Sequence, residues 1–299
     1  MKKYKYPGAD AVKIKGRLRA NKWLWLRRLS QIGILLLFLA GPWFGIWVVK
    51  GNLASSLTLD ILPLTDPFVA LQSFATGHVA ETEALIGIAI VVGFYVLVGG
   101  RVFCSWVCPV NMVTDFSAWL RERLGLKGSS RIARSTRYWL LGMVMLLAAA
   151  TGFTVWEWVN PVSMLHRGLI FGMGFAWIII LSVFLFDLFV SRMGWCGHIC
   201  PMGAFYSLLG KASLVRVSAY QRQKCDDCMD CFAVCPEPQV IRPALKGEEQ
   251  GISPVIKFAN CTNCGRCIDV CSKDVFRFGT RFHGNTKFHF TGTKMEATL

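Results

Sequence analysis

The sequence has little charge and, over one long stretch, no positive charge at all. Only 17% of its 299 residues are Asp, Glu, Lys or Arg, whereas soluble globular proteins carry about 25%. Hydrophobic residues make up 54% of the chain, and the mean hydropathy is +0.44. This composition excludes an ordinary soluble enzyme and predicts a membrane part with one small soluble domain.

The uneven positive charge argues against nucleic acid as a partner. The formal net charge is +15, yet residues 51–83 contain no Lys or Arg. Ten such residues lie in 1–28, seven in 101–137 and fourteen after residue 190. Because loops that stay in the cytoplasm are rich in Lys and Arg, this distribution predicts cytoplasmic segments rather than a nucleic-acid-binding surface.

Long apolar segments predict four transmembrane helices. They lie at about Leu29–Val49, Ala84–Gly100, Tyr138–Trp156 and Leu169–Val190, and each is near the ~20 residues that cross a bilayer. We interpret the first as a span rather than a cleaved signal peptide, since further spans follow it. The charge distribution then predicts a multi-pass protein of a bacterial inner membrane with both termini in the cytoplasm.

Every cysteine belongs to a spaced motif, and no C-x-x-C-H motif is present, which excludes a covalently attached c-type haem. Two runs, residues 225–235 and 261–271, have the spacing C-x2-C-x2-C-x3-C. This spacing is typical of a cubane [4Fe–4S] cluster, and in two-cluster ferredoxins the fourth cysteine of each run binds the other cluster. The predicted ligands are Cys225, Cys228, Cys231 and Cys271 for one cluster, and Cys261, Cys264, Cys267 and Cys235 for the other.

These motifs complete the predicted architecture. A basic cytoplasmic N-terminus (1–28) precedes an all-α membrane domain of four helices (29–214). A cytoplasmic α+β domain like a two-cluster ferredoxin follows at 215–280, and a basic, poorly ordered tail at 281–299. Two zinc sites are a weaker interpretation of the same eight cysteines, because structural zinc motifs seldom use this spacing twice.

A second motif, C-x3-C-P, follows two of the predicted spans. Cys104 and Cys108 come after the second span, and Cys196 and Cys200 come after the fourth, so that two helices and one motif form a repeated unit. Residues four apart share a helix face, and two halves packed about a pseudo-twofold axis would bring the four thiols together. Three interpretations stay open: a further metal or iron–sulfur centre, redox-active dithiols, and buried structural thiols. His198 is a further candidate ligand.

The whole layout resembles the NapH/MauN family of ferredoxin-type membrane proteins, and most of all its NapH branch. The resemblance is carried by the basic N-terminus, the four spans, both C-x3-C-P motifs and both cluster runs. It implies two [4Fe–4S] clusters at the eight cysteines and a membrane subunit of a quinol dehydrogenase rather than a self-contained enzyme. It also implies electron transfer from quinol to a NapG-type periplasmic iron–sulfur protein, a NapC-type multihaem cytochrome and a periplasmic nitrate reductase.

Oxidation of quinol needs a proton acceptor beside an apolar slot. Candidates on the predicted outer side are His78, His166, Glu81, Glu83 and Glu157, although an ordinary loop role is the commoner outcome for each. No histidine lies within a predicted span, so a b-type haem is not expected.

Asp187 lies inside the fourth predicted span. Acidic residues within a membrane span often have a functional role, so Asp187 is a candidate functional residue. An ion pair with the nearby Arg192 is an equally good explanation of this carboxylate.

Two other functions remain compatible with these motifs. In one, the chain is a maturation or metal-handling protein, similar to copper reductases or cofactor-assembly factors, whose membrane cysteines reduce or transfer a metal. In the other, the chain is a docking scaffold whose clusters are mainly structural.

Reporter fusions test the predicted topology. Green fluorescent protein fused after the last residue is expected to fluoresce, because it folds in the cytoplasm, whereas alkaline phosphatase inserted within 51–83 is expected to be active, because it needs the periplasm. Phosphatase activity from a C-terminal fusion would contradict the predicted orientation.

Overall fold

The computed structural model describes residues 6–78, 81–126, 128, 130, 132–172 and 174–282. Its α-helices are α1 Ala9–Lys15, α2 Lys22–Phe44, α3 Pro67–Ala75, α4 Thr82–Val98, α5 Val110–Arg123, α6 Thr136–Thr151, α7 Pro161–Phe171, α8 Gly174–Leu185, α9 Pro201–Leu209, α10 Asp230–Val234, α11 Ile241–Lys246 and α12 Arg266–Val270. The strands are β1 Val49–Gly51, β2 Ser55–Thr58, β3 Leu62–Thr65, β4 Val215–Ser218 and β5 Arg277–Thr280. Apart from its first two residues, the basic tail expected at 281–299 lies outside the described residues.

One helix among the described residues is long and apolar enough to cross a membrane. It is α2 together with the short turn before it, Arg19–Phe44, with 26 residues. Three more apolar segments, Thr82–Val98, Thr136–Thr151 and Gly174–Val190, are shorter. A helix of 17 residues is about 25 Å long, less than the ~30 Å of a hydrocarbon core. Of the four segments expected to span, only the first is therefore a spanning helix by its own length.

Glycines explain why the helices end before the apolar segments of the sequence end. Gly45 ends α2 with φ 73°, a left-handed conformation that glycine adopts without a Cβ clash. Positive-φ glycines also follow α4, α6 and α7, at Gly99, Gly152 and Gly172. Each lies inside a segment that hydropathy alone treats as one continuous span.

The segment without Lys or Arg, residues 51–83, contains regular secondary structure. Strands β1, β2 and β3 form an antiparallel sheet in which Val49 pairs with Thr58 and Ser56 with Leu64. Helix α3 follows directly and packs against α6. Short strands within an apolar region carry little sequence signal, because neither helical nor strict two-residue periodicity is present.

The repeat is longer than the two helices and one cysteine motif expected from the sequence. Asp66 caps α3 by accepting the backbone N–H groups of Phe68 and Val69, and Pro67 is the first residue of that helix. Asn160 caps α7 by accepting the N–H of Val162, and Pro161 likewise begins the helix. Each half therefore consists of a long helix, a short capped helix, an apolar helix, a cysteine turn and a final helix.

The residues that the structure describes form two separate hydrophobic cores. The first lies among the apolar helices and contains Phe68, Tyr95, Phe103 and Tyr206. The second lies between α10, α11, α12 and the pair β4–β5, in which Val215 is opposite Thr280. The C-terminal part is thus a small α+β unit with its own core.

A buried carboxylate joins the two parts. Glu237 is 1% exposed and accepts hydrogen bonds from Arg101 at 2.7 Å and from Arg137 at 2.9 Å. Arg134 reaches its other oxygen at 3.1 Å. Burial acts to raise the pKa of Glu237, but the charges of Arg101 and Arg137 outweigh it, so the pKa lies below its ordinary value. A charge buried among three cations ties the C-terminal part to α6 and to the turn before the first C-x3-C-P motif.

Replacing this carboxylate by an amide tests its role in the fold. Glu237→Gln leaves two buried guanidinium groups without a counter-charge, which typically costs about 3–5 kcal/mol. We expect the melting temperature of the detergent-solubilised protein to fall by about 5 °C or more. Glu249→Gln, at an exposed carboxylate, is the control, and an equal change in both variants would contradict the role of Glu237.

Candidate functional site

Four cysteines line a cavity in the C-terminal part, the α+β unit that runs from β4 to β5. They are Cys225, Cys228, Cys231 and Cys271, and we call this cavity the distal site. Leu245, Val275 and Phe276 supply apolar walls. Three of the cysteines come from one sequence run and the fourth comes from the other run.

A second cavity in the same part is lined by the remaining four cysteines of the two runs, Cys235, Cys261, Cys264 and Cys267. We call it the proximal site, because it lies on the side that faces the apolar helices. Val217, Val240 and Ile256 complete its apolar lining.

Two short helices connect the distal and proximal sites. Helix α10 carries Cys231 and is followed at once by Cys235, whereas α12 carries Cys267 and is followed by Cys271. Each helix thus brings one cysteine to each site. Because α10 and α12 pack against each other, the two cavities are neighbours within one core.

The C-x3-C-P motifs form π turns rather than the α-helical turns expected from the sequence. These turns span Phe103–Val107 and Trp195–Ile199. The N–H of Cys108 donates to the carbonyl of Phe103, and the N–H of Cys200 to that of Trp195, each at 2.9 Å. The backbone of Cys108 (φ −63°, ψ 118°) nearly equals that of Cys200 (φ −62°, ψ 113°). The two halves therefore present their cysteines in the same local geometry.

The two π turns meet around a third cavity, which we call the membrane site. All four cysteines of the motifs, Cys104, Cys108, Cys196 and Cys200, line it. Trp156, Trp195 and Met202 are among its apolar walls, and His198 is not a lining residue. The two halves of the repeat each contribute two thiols to one cavity.

The three cavities are nearly equal in size. The space open to the centre of a water molecule is about 20 Å³ at each of the membrane, distal and proximal sites. Each is apolar and lined by four cysteines. A common volume and a common donor set indicate that all three can hold the same kind of group.

The proximal and membrane sites are connected by direct hydrogen bonds. The hydroxyl of Ser105, next to Cys104, donates to the carbonyl of Thr262 at 2.7 Å. The indole N–H of Trp106 donates to the carbonyl of Asn263 at 3.1 Å. Thr262 and Asn263 both lie between two cysteines of the proximal site. The first π turn therefore packs against the loop that carries the proximal cysteines.

The thiols fit a multi-atom metal cluster better than a single ion. A tetrahedral zinc site needs sulfur atoms about 3.8 Å apart, from Zn–S bonds of about 2.3 Å. Among the residues that the structure describes, no group of three or more Cys, His, Asp or Glu side chains surrounds a point closely enough to hold one ion. A [4Fe–4S] cluster is larger and is held by four thiolates around an apolar cavity.

Burial makes these thiols poor anions unless metal is bound. It raises the pKa of Cys261 to about 11 and that of Cys231 to about 12, and it raises the pKa of Cys267 well above its ordinary value. Coordination to a metal deprotonates a thiol outright. These cysteines would therefore bind iron as thiolates in spite of their raised pKa values.

The residues expected to accept protons are not brought together. His78, Glu81 and Glu83 are exposed, and Glu157 bonds to Asn160. His166 is 4% exposed in α7, with its ring 5.4 Å from that of Phe38.

Asp187 accepts the N–H of Trp195 at 2.8 Å, which supports the turn carrying Cys196. Arg192, the alternative ion-pair partner considered for Asp187, lies 3.6 Å from a carboxylate oxygen of Glu122.

Several residues around the sites were not identified from the sequence. Arg101 donates to the carbonyl of Cys196 at 2.9 Å and to that of Asn260 at 3.0 Å, in addition to Glu237. One feature of the sequence could have drawn attention to Arg101: an arginine precedes each C-x3-C-P motif. Arg101 lies three residues before Cys104, and Arg192 lies four residues before Cys196. Tyr206 donates to Asp66 at 2.8 Å, and burial raises the pKa of Asp66 to about 6.

Two protein families match the segments that carry the cysteines. A 4Fe-4S binding domain matches residues 82–127 and 173–218, once in each half of the repeat, and a 4Fe-4S dicluster domain matches 224–275. The second match covers all eight cysteines of the distal and proximal sites. No solved structure matches the chain.

Similar proteins cover almost the whole chain. The ferredoxin-type protein NapH of Escherichia coli is 50% identical over 94% of this chain and 97% of its own length. NapH of Haemophilus influenzae is 48% identical over 93% and 96%. The methylamine utilization ferredoxin-type protein MauN of Methylorubrum extorquens is 54% identical over 91% and 94%. These relatives, together with the matched 4Fe-4S domains, establish that the chain belongs to the NapH/MauN family of ferredoxin-type electron-transfer proteins.

Proposed function

We propose that the chain is the membrane-bound iron–sulfur subunit of a quinol dehydrogenase, which moves electrons from the quinol pool toward a periplasmic reductase. The observation that carries this proposal is the row of three four-cysteine cavities from the C-terminal part to the apolar helices. Iron–sulfur clusters bound there would supply one-electron transfer. The rest of the chain holds the sites next to one another.

The proposed cluster ligands are all twelve cysteines of the chain. Two [4Fe–4S] clusters would occupy the distal and proximal sites. A further cluster at the membrane site is supported by its equal volume, by its four thiols and by the 4Fe-4S binding domain matched to each half. Among the three interpretations of the C-x3-C-P cysteines, we therefore propose the iron–sulfur centre.

The proposed architecture keeps the domain bounds 29–214 and 215–280 and a multi-pass membrane domain with cytoplasmic termini. Its support is the outward-facing apolar surface of the short helices. Phe175, Ile178 and Leu181 on α8 are 65%, 57% and 54% exposed, and Trp139 and Leu146 on α6 are 79% and 73% exposed. Contiguous apolar surface of this extent needs lipid or a partner to cover it.

The proposed acceptor follows from the similarity to NapH proteins. Partners of NapG and NapC type, with periplasmic nitrate reductase downstream, would take the electrons on the outer side. The membrane site is the one site formed by the apolar helices, so it is the natural exit toward such partners.

The similarity to MauN supports a second destination for the electrons. Identity to the MauN protein, 54%, is as high as identity to the NapH proteins, so sequence identity alone does not select nitrate reduction. Electron transfer in methylamine utilization is therefore the second candidate, and it uses the same sites.

Metal content tests the proposed clusters. Anaerobically purified protein is expected to contain about twelve iron and twelve labile sulfide atoms per chain, four for each of three clusters. Cys104→Ser and Cys196→Ser should each lower the iron count to about eight, because either change removes a ligand of the membrane site.

Cys231→Ser is the comparison variant, since it should remove the distal cluster and leave the membrane cluster with its EPR signal. A wild-type count of eight would contradict the membrane cluster, and bound copper at Cys104 and Cys196 would support the metal-handling alternative instead.

Electron flow in cells tests the proposed reaction. Cys104→Ser is expected to abolish most quinol-dependent nitrate reduction, because electrons would then stop at the proximal site. Nitrate reduction with reduced viologen, which bypasses quinol, and the cofactor content of the reductase should stay unchanged. A loss of reductase cofactor would indicate a maturation role, and unaffected nitrate reduction with impaired methylamine-dependent growth would favour the second destination.

A further inference from the structure

A deep cleft runs between the first helices of the chain, α5 and the C-terminal part. Its solvent-accessible volume, the space open to the centre of a water molecule, is about 820 Å³. This lies within the range of about 300–1,000 Å³ in which proteins bind small ligands. None of the residues proposed from the sequence as proton acceptors lines it.

Cysteines of two different sites line this cleft. Cys104 and Cys196 of the membrane site line it, and so does Cys264 of the proximal site. A small molecule in the cleft would therefore contact ligands of two neighbouring four-cysteine sites at once.

Aromatic side chains form the outer part of the cleft. Trp25, Phe116 and Trp119 line it and are 63%, 53% and 50% exposed. Trp25 belongs to the first turn of α2, the helix long enough to span a membrane. Exposed aromatics near the end of such a helix are typical of a membrane interface, so a ligand with a lipid tail can enter here.

Each arginine of the cleft has a carboxylate or aromatic partner, but the carboxylates are fewer than the arginines. Asp115 pairs with Arg27 at 3.2 Å and also with Arg28. The pairs Arg101–Glu237, Arg192–Glu122 and Arg266–Asp269 account for three more, and Arg123 lies over the ring of Trp119. Six arginines thus share four carboxylates and one indole ring, and this positive surplus suits a ligand whose oxygen atoms accept hydrogen bonds.

Polar groups converge at the inner end. Arg27 is 3% exposed and donates to the carbonyl of Ser105 at 3.0 Å and to the side-chain oxygen of Asn111. Arg101 lines the same region, is 1% exposed, and its Nε has no hydrogen-bond partner among the described residues.

We propose that this cleft binds the head ring of the quinol, with its tail leaving past Trp25 and Trp119. The inference rests on the proposed function and names the substrate site for it. Oxidation of a quinol to a quinone releases two electrons, which clusters at the two adjoining sites would take one each, and two protons, for which Asp115 and Glu122 are the carboxylates in the cleft. The site lies on the proposed cytoplasmic side, opposite to the side on which the sequence suggested proton acceptors.

Quinone binding to the full-length, cluster-loaded protein in phosphatidylcholine nanodiscs tests the cleft. The probes are decylubiquinone and menadione, measured by calorimetry. The double change Phe116→Ala, Trp119→Ala is expected to raise the dissociation constant about tenfold, because two aromatic contacts are lost. Trp139→Ala is the matched control, since Trp139 is exposed on α6 and does not line the cleft; its dissociation constant should stay within about twofold of wild type.

Photolabelling with an azidoquinone gives a second readout that is independent of activity. Label on α5 or the first turn of α2 supports the cleft, whereas label on α3 or α7 overturns it. Equal dissociation constants in the double variant and the control also overturn it. Displacement of quinone by phosphatidylglycerol, with loss of co-purified phosphatidylglycerol in the double variant, would identify an anionic lipid as the occupant instead.

The reduction of the clusters by quinol, followed by EPR, separates the two proposals. If quinol reduces the clusters but the label lies elsewhere, only the position of the site is wrong. If no quinone binds and quinol reduces nothing, the quinol dehydrogenase function fails as well.

Discussion

The arrangement of the whole molecule depends on one buried carboxylate. Glu237 follows the Cys235-Pro236 pair of the C-terminal part and is held by Arg101 and Arg137 from the apolar part. A carboxylate taken out of water is stable only with close counter-charges, so this contact has one acceptable geometry. Arg101 in turn donates to the carbonyl of Cys196. The same guanidinium thus orients the C-terminal part and fixes the turn of the second C-x3-C-P motif.

This contact explains why three four-cysteine cavities lie in succession. The distal and proximal cavities share helices α10 and α12, each of which brings a cysteine to either side. The proximal loop then packs against the first π turn through Ser105 and Trp106. Shared helices therefore make the first step of this succession, and direct hydrogen bonds make the second.

The cleft follows from the same packing. When the C-terminal part is seated on the cysteine turns, the first helices and α5 cannot close over it completely, and a space remains that touches both sites. Its six arginines share four carboxylates and one indole ring, while its entrance is aromatic. A cleft with these properties suits a lipid-soluble ring whose oxygen atoms accept hydrogen bonds.

Some features of this protein are local and could be predicted from the sequence. The spacing of the eight C-terminal cysteines indicates cluster chemistry because three of the four ligands of each cubane come from one short segment. The repeated C-x3-C-P motif indicates an internal duplication, and the 4Fe-4S binding domain matches both halves. Hydropathy located the apolar helices, but not their ends, since Gly45 and Gly172 turn the chain inside apolar stretches where composition does not change.

Other features depend on contacts between distant residues, and only the tertiary structure decided them. The meeting of Cys104 and Cys108 with Cys196 and Cys200 requires the two halves to pack face to face, about ninety residues apart. Glu237 and Arg101 are 136 residues apart, and neither has a local pattern that marks it as a partner of the other. The sequence by itself determined which cysteines can bind metal, because that chemistry depends on residue type and near spacing. The tertiary structure decided that the four C-x3-C-P cysteines share one cavity and which cysteines border the cleft, because such contacts exist only after the chain has folded.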